Sequence, residues 1–178
     1  LRGDLPSGVG GYGDFIYAKD LLEYIKSLYG NQFHLQVGAY PEVHPQAKSA
    51  DDDFIHFSNK VKAGADGAIT QFFFSPQAYY EFMDRSEKAN LGIPITPGLI
   101  TITNKESLLR MAISCGAKIP KKIIEDLDKL NEEDVTKYGI DVLTKLAEDL
   151  LSFGAPGIHF YTINKLEPTK AIVESLKL

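Results

Sequence analysis

Apolar and polar positions along this chain follow two periods that take turns. Ala18, Leu21, Leu22, Ile25 and Leu28 recur at helical spacing, which predicts an amphipathic helix over 15–29. Residues 33–40 then form a short apolar run of strand character. Asp51, Asp52 and Asp53 suit a helix N-terminus, Phe54, Phe57 and Val61 its buried face, and Gly64 its stop. The run 68–74 predicts the next strand, and Pro76 opens a helix with Tyr79, Phe82, Met83 and Ser86 on one face. Residues 94–102 read as a strand interrupted at Pro97-Gly98, followed by Asn104 as the N-cap of a helix carrying Leu108, Leu109 and Ala112. An extra helix over 119–130, opened by Pro120, has no strand before it. A long helix over 134–153 follows, with Val142, Leu146 and Leu150 on its apolar stripe. A strand over 157–163 and a short helix from about Pro168 complete the order.

Strands alternating with helices of this length imply βαβ units and a parallel sheet, closed as a TIM barrel or left as a doubly wound open sheet. No Gly-x-Gly-x-x-Gly follows a strand, which weakens a dinucleotide-binding open sheet. The stretch Gly8-Val9-Gly10-Gly11-Tyr12-Gly13 lacks a strand–turn–helix context and reads as a flexible loop. Polar residues at successive strand ends favour the barrel, whose site lies at the strand C-termini. Leu1-Arg2-Gly3-Asp4 looks like a strand end with no strand before it, so part of that barrel is expected to be missing from this chain.

A length of 178 residues suits a single domain over 1–178, and 44% hydrophobic with 24% charged residues is ordinary for a soluble globular chain. The net charge of −5 argues against broad attraction to nucleic acid or to an anionic membrane, so an anionic ligand must be gripped by local groups. The lone Cys115 excludes an internal disulfide, suits a reducing, cytoplasmic setting and reads as structural. No apolar run reaches the length of about 18 residues that spans a bilayer. The four histidines show no metal-like spacing, so no metal is expected.

Candidate chemistry sits at the strand ends. Gln71 lies among Ile69, Phe72 and Phe73, and an unpaired buried amide costs about 1–3 kcal/mol, so it needs a neighbouring strand, a water or a ligand. Tyr40 and His44 bracket Pro41-Glu42-Val43, with Pro41 and Pro45 stiffening the segment. Asp53, His56 and Lys60 recur at i, i+3 and i+7 and share a helix flank, which alone reads as a solvated face. Asp4 is a turn or cap carboxylate, or part of a ligand site.

Leu1-Arg2-Gly3-Asp4-Leu5-Pro6, Ala39-Tyr40-Pro41-Glu42-Val43-His44-Pro45, Ile69-Thr70-Gln71-Phe72-Phe73-Phe74, Pro97-Gly98-Leu99 and His159-Phe160-Tyr161-Thr162-Ile163-Asn164, in this order, resemble the methylenetetrahydrofolate reductase family. The resemblance covers essentially the whole chain. It implies an FAD-containing TIM (β/α)8 barrel that reduces 5,10-methylenetetrahydrofolate to 5-methyltetrahydrofolate with NADH or NADPH, in one-carbon and methionine metabolism. This chain would supply roughly the second half, from the end of strand 4 to helix 8.

The same resemblance assigns roles. Asp4 would lie near flavin and folate as the catalytic carboxylate that stabilises a cationic iminium form of the substrate. Gln71 would bind the pterin, and Ser107 and Lys165 the rest of the folate, where bacterial members usually carry Gln and Arg. Lysine keeps the charge but loses the bidentate fork. Arg2, Gly3, Asp4, Tyr17, Ala18, Lys19, Tyr40 and His44 would contact FAD, with Asp53, His56, Asn59 and Lys60 on its adenosine and diphosphate. Asn59 stands where a basic residue is expected and His56 where Asn is common, so Lys60 is the cation left for the diphosphate. The family's proton donor, a Glu at the end of the first strand, is not in this chain, and neither Glu42 nor Glu167 matches its position. Half a barrel exposes two strand edges, so a homo-oligomer or association with the missing half is expected. The alternative is a non-catalytic fragment that binds flavin or folate and completes its barrel with another chain. An aldolase-like barrel would need a Schiff-base Lys within a strand, and none is found.

Overall fold

Local signals start and stop the helices where capping chemistry requires. In the computed structural model, which describes residues 14–176, the elements are α1 (Ala18–Tyr29), β1 (Gln36–Ala39), α2 (Ala50–Lys62), β2 (Gly67–Phe72), α3 (Pro76–Lys88) and β3 (Ile95–Ile100). They continue with α4 (Lys105–Cys115), α5 (Lys121–Leu127), α6 (Glu132–Phe153), β4 (His159–Tyr161) and α7 (Leu166–Leu176). Ser49 Oγ accepts the Asp52 N–H at 3.1 Å to cap α2, whose first turn carries Asp51, Asp52 and Asp53 against the helix dipole. Asn104 caps α4 by accepting the Ser107 N–H at 2.8 Å, and Asn131 caps α6 through the Asp134 N–H at 3.1 Å. The strands are shorter than the apolar runs that announced them, and α7 starts two residues before Pro168.

The fold is α/β, with one four-stranded parallel sheet in the order β1-β2-β3-β4. Val37, Ala39, Ala68, Ile95 and Leu99 are buried in one core with Phe57, Tyr79, Phe82, Leu143 and Leu150 from the helices. Tyr79 in α3 ties to this face by donating its hydroxyl to the Ile95 carbonyl at 2.7 Å, and burial pushes its phenol up to about 12. Gly38, Ile69 and Thr96, aligned across three strands, lie on the other face and are half-buried. No helix among the described residues is long and apolar enough to cross a membrane.

One expectation is corrected here. Pro97-Gly98 does not interrupt β3, which runs unbroken from Ile95 to Ile100. Pro97 sits one position before the first β3–β4 pair, Gly98 with His159, so its missing N–H breaks no paired position there. The irregularity falls on the partner strand. Ile69 pairs with Thr96, but the next pair is Phe72 with Gly98, so β2 spends one residue more than β3 and bulges at Thr70-Gln71.

Candidate functional site

The bulge decides which residue keeps Gln71 company. Thr70, aligned with Ala39, and Phe73, stacked on Tyr79 at 6.1 Å, both turn to the helices, so Gln71 and Phe72 share the opposite face. A strict period of two would have put them on opposite sides. The Gly98 N–H donates to Thr70 Oγ1 at 2.8 Å, while Tyr161 from β4 donates its hydroxyl to the Thr70 carbonyl at 2.9 Å. Gln71 is only half-buried, and its Oε1 accepts the Phe72 N–H at 3.0 Å. The feared cost of an unpaired buried amide is thus avoided, and the two donors of Nε2 are the group it offers a ligand. A narrow cleft of about 10 Å³ joins Gln71 to Tyr40, Glu42 and Cys115.

The segment after β1 is clamped from two sides. Asp53 in α2 accepts the His44 N–H at 2.8 Å, and Glu42 accepts the Lys118 N–H at 2.8 Å across 76 residues. Gly116 ends α4 with φ +71, and a Cβ there would stand 3.1 Å from Pro45 and 3.2 Å from the Val43 carbonyl. The loop therefore rests directly on the end of α4. Within it the Tyr40 and His44 rings meet edge to face at 4.5 Å. The Gln46 N–H donates to His44 Nδ1 at 3.0 Å, which leaves Nε2 to carry the proton of a neutral ring. Burial raises the Glu42 carboxyl above its ordinary range, opposed by the Lys118 N–H and by the charge of Lys118.

The flank of α2 divides. Lys60 donates Nζ to the Gly38 carbonyl at 2.5 Å, and burial lowers its ammonium while Asp53 pulls it back up. Asp53 and Lys60 thus face β1 and its loop. His56 is exposed, 3.6 Å from Asp52, with its ring 6.5 Å from that of Tyr17 and inclined by only 17°. Tyr17, Gln46, Lys48, Asp52 and His56 line a cavity of about 540 Å³. Tyr17 caps α1, Ala18 is its first residue, and Lys19 pairs with Glu23 at 3.0 Å. Asn59 is half-buried beside Lys60.

At the far edge of the sheet, beyond the C-terminal end of β4, Ile163 and Asn164, with φ of 48 and 58, form a tight turn closed by the Lys165 N–H on the Thr162 carbonyl at 2.9 Å. A left-handed β-branched residue is a costly conformation. The turn brings Lys165 Nζ to Thr103 Oγ1 at 3.1 Å, just ahead of α4. Ser107, in the first turn of α4, accepts from Arg110 at 3.2 Å. Arg2, Gly3, Asp4 and the glycine-rich stretch lie outside the described residues. The sequence did not single out Thr70, Tyr161 or the Glu42 clamp, and the one available signal was a proline–glycine pair in a central strand.

A sequence model of the family Methylenetetrahydrofolate reductase matches residues 1–177. The chain belongs to this family. It is 37% identical to the 5,10-methylenetetrahydrofolate reductase of Escherichia coli strain K12 over 178 residues, covering 99% of this chain and 59% of that protein. It is 38% identical over 167 residues to the reductase of Buchnera aphidicola subsp. Schizaphis graminum, covering 93% of this chain and 56% of that one. With methylenetetrahydrofolate reductase (NADH) 1 of Arabidopsis thaliana it shares 34% identity over 193 residues, covering the whole chain and 33% of the plant protein. The chain thus spans about three-fifths of the length of these bacterial reductases. A Clostridium thermocellum protein that binds two copies of 5-methyl-5,6,7,8-tetrahydrofolic acid has the same fold, with a TM-score of 0.64 at 21% identity over 90% of this chain and 57% of that one.

Proposed function

We propose that this chain is the flavin- and folate-holding part of a reductase that converts 5,10-methylenetetrahydrofolate to 5-methyltetrahydrofolate with NADH or NADPH. Its four strands are the second half of a TIM barrel. One observation carries the reading: in a chain of this family, the β2 bulge presents an amide beside the clamped Tyr40–His44 segment at the C-terminal ends of parallel strands.

The residues present fit FAD. Two nearly parallel rings, Tyr17 and His56, line the same cavity of about 540 Å³ and suit a flat heterocycle, with Lys48 beside them for an anionic group. Tyr17, Ala18, Lys19, Asp53, His56, Asn59 and Lys60 would hold the adenosine and diphosphate, and Tyr40 and His44 the flavin side, joined by Arg2, Gly3 and Asp4. Flavin held by these residues would supply the hydride transfer that links reduced nicotinamide to folate.

This chain's own groups do the rest. Lys60, already partly stripped of water, gives a diphosphate a cation whose charge is poorly screened. Asp53 and Glu42 hold the Tyr40–His44 segment so that no ordering is needed when ligand arrives. Gln71 orients the pterin through its Nε2 donors, Asp4 favours positive charge on the substrate, and Ser107 and Lys165 receive the folate tail. The proton donor is to be sought in the two-fifths of the reductases that this chain does not span.

The test is to express the full-length gene product and record its visible spectrum. A yellow protein bleached by NADH or NADPH is expected; a colourless one overturns the reading. A second reading, a flavin- or folate-binding piece that completes its barrel with another chain, draws on the sheet having β1 and β4 as edges. Light scattering on the 178-residue chain separates the two, since a soluble monomer excludes obligatory pairing.

A further inference from the structure

We propose that Tyr161 is a positioning residue: its hydroxyl holds the β2 bulge that keeps Phe72 beside Gln71 on the ligand side of the sheet, where the Phe72 N–H fixes the Gln71 amide. The proposal rests on the reading that Gln71 meets the folate. In a regular parallel ladder the Gly98 N–H would go to a main-chain carbonyl of β2. Here it goes to Thr70 Oγ1 at 2.8 Å, and the Thr70 carbonyl is rotated onto the sheet face. The rotation is visible in its position, 2.3 Å from where a Cβ on Gly98 would stand. A carbonyl removed from the ladder in a buried sheet needs another donor. Tyr161 supplies it at 2.9 Å from two strands away, with its ring lying across Gly98 so closely that Cε2 would be 2.7 Å from that same Cβ. Glycine at 98 opens the slot, the phenol fills it, and the bulge becomes the satisfied arrangement. Phe72 then pairs with Gly98 and also meets the Tyr161 ring at 6.4 Å, which leaves Gln71 as the extra residue. Without the phenol the carbonyl is driven back toward the Gly98 N–H, the bulge relaxes, and Gln71 loses the Phe72 N–H that fixes its amide.

The experiment compares Tyr161→Phe, Gln71→Ala and the double variant in the flavin-loaded full-length protein, with hydrogen exchange as a readout independent of activity. Tyr161→Phe is expected to raise KM for methylenetetrahydrofolate roughly three- to tenfold, one hydrogen bond's worth, with kcat and flavin reduction by nicotinamide unchanged. Exchange at the Gly98 and Phe72 amides should quicken by a similar factor, and the second substitution should add nothing to Gln71→Ala. If Gln71→Ala raises KM while Tyr161→Phe leaves both KM and exchange unaltered, the role of Tyr161 is overturned and that of Gln71 stands. Additive effects in the double variant overturn it as well. An unaltered KM in Gln71→Ala overturns the underlying reading and this proposal with it.

Discussion

Strand β1 is tied down by a carboxylate near each end, and the two ties are built differently. Before its N-terminal end, Asp66 accepts the Leu35 N–H at 2.8 Å and the Lys26 ammonium at 3.2 Å. These two donors hold its carboxyl below the usual carboxylate range. Beyond the C-terminal end, Glu42 accepts the Lys118 N–H, yet its partial burial outweighs that bond and its carboxyl is raised. Lys60, at the same end, is held against its preference as well, lowered by burial. One end of the sheet satisfies its charges; the other keeps them under-solvated. Ionisable groups held away from their ordinary state mark sites where binding or chemistry is done, and in parallel α/β folds that is the C-terminal side.

The largest effect that would break this comparison is expected from Gly98→Ala. The new Cβ meets the Thr70 carbonyl at 2.3 Å, a main-chain atom that cannot swing away, so a loss of about 3 kcal/mol is expected in denaturant unfolding. A loss under about 1 kcal/mol would mean that the bulge accommodates a side chain.

Asp66→Asn probes the satisfied end. A carboxyl with a folded-state pKa below its unfolded value of 3.8 contributes stability that is fully present above 3.8 and is lost as pH falls through the folded value. The variant should therefore be less stable at neutral pH and flatter in its melting temperature below pH 3.8. A parallel acid profile for variant and parent would remove Asp66 as the tie.

Glu42→Gln should have the smallest effect and the opposite sign. Its folded pKa lies above 4.5, so the ionised carboxylate lowers stability as pH rises from 4.5 through the folded value. Glutamine keeps an acceptor for the Lys118 N–H without the desolvated charge. The variant is expected to match the parent below pH 4.5 and to exceed it at neutral pH by under about 1 kcal/mol, the residue being partly exposed. A melting profile in which Glu42→Gln is the less stable at neutral pH would show that the charge itself holds the clamp.

Much of this molecule could be read from the chain because it is governed by neighbours in sequence. Asn104, Pro76 and the aspartates at 51–53 mark helix starts, since a cap acts on backbone donors within one turn. The alternation of apolar periods announced the strands and helices, and the motif strings announced the family. Gln71 stood out as an amide in an apolar run. Its companionship with Phe72 did not, because a period of two puts those two on opposite faces, and the bulge that brings them together is held by Gly98 and Tyr161, 28 and 91 residues from Thr70. The even flank of Asp53, His56 and Lys60 was likewise divided only by what packs against it. Glu42 stood only as a residue bracketed by Tyr40 and His44 until the end of α4 brought the Lys118 N–H to it. What the sequence alone determined is the set of elements, their order and the chemical groups at the strand ends. Which of those groups are turned together, clamped and stripped of water was decided by the tertiary structure, because desolvation and hydrogen bonding between distant strands exist only once the sheet has formed.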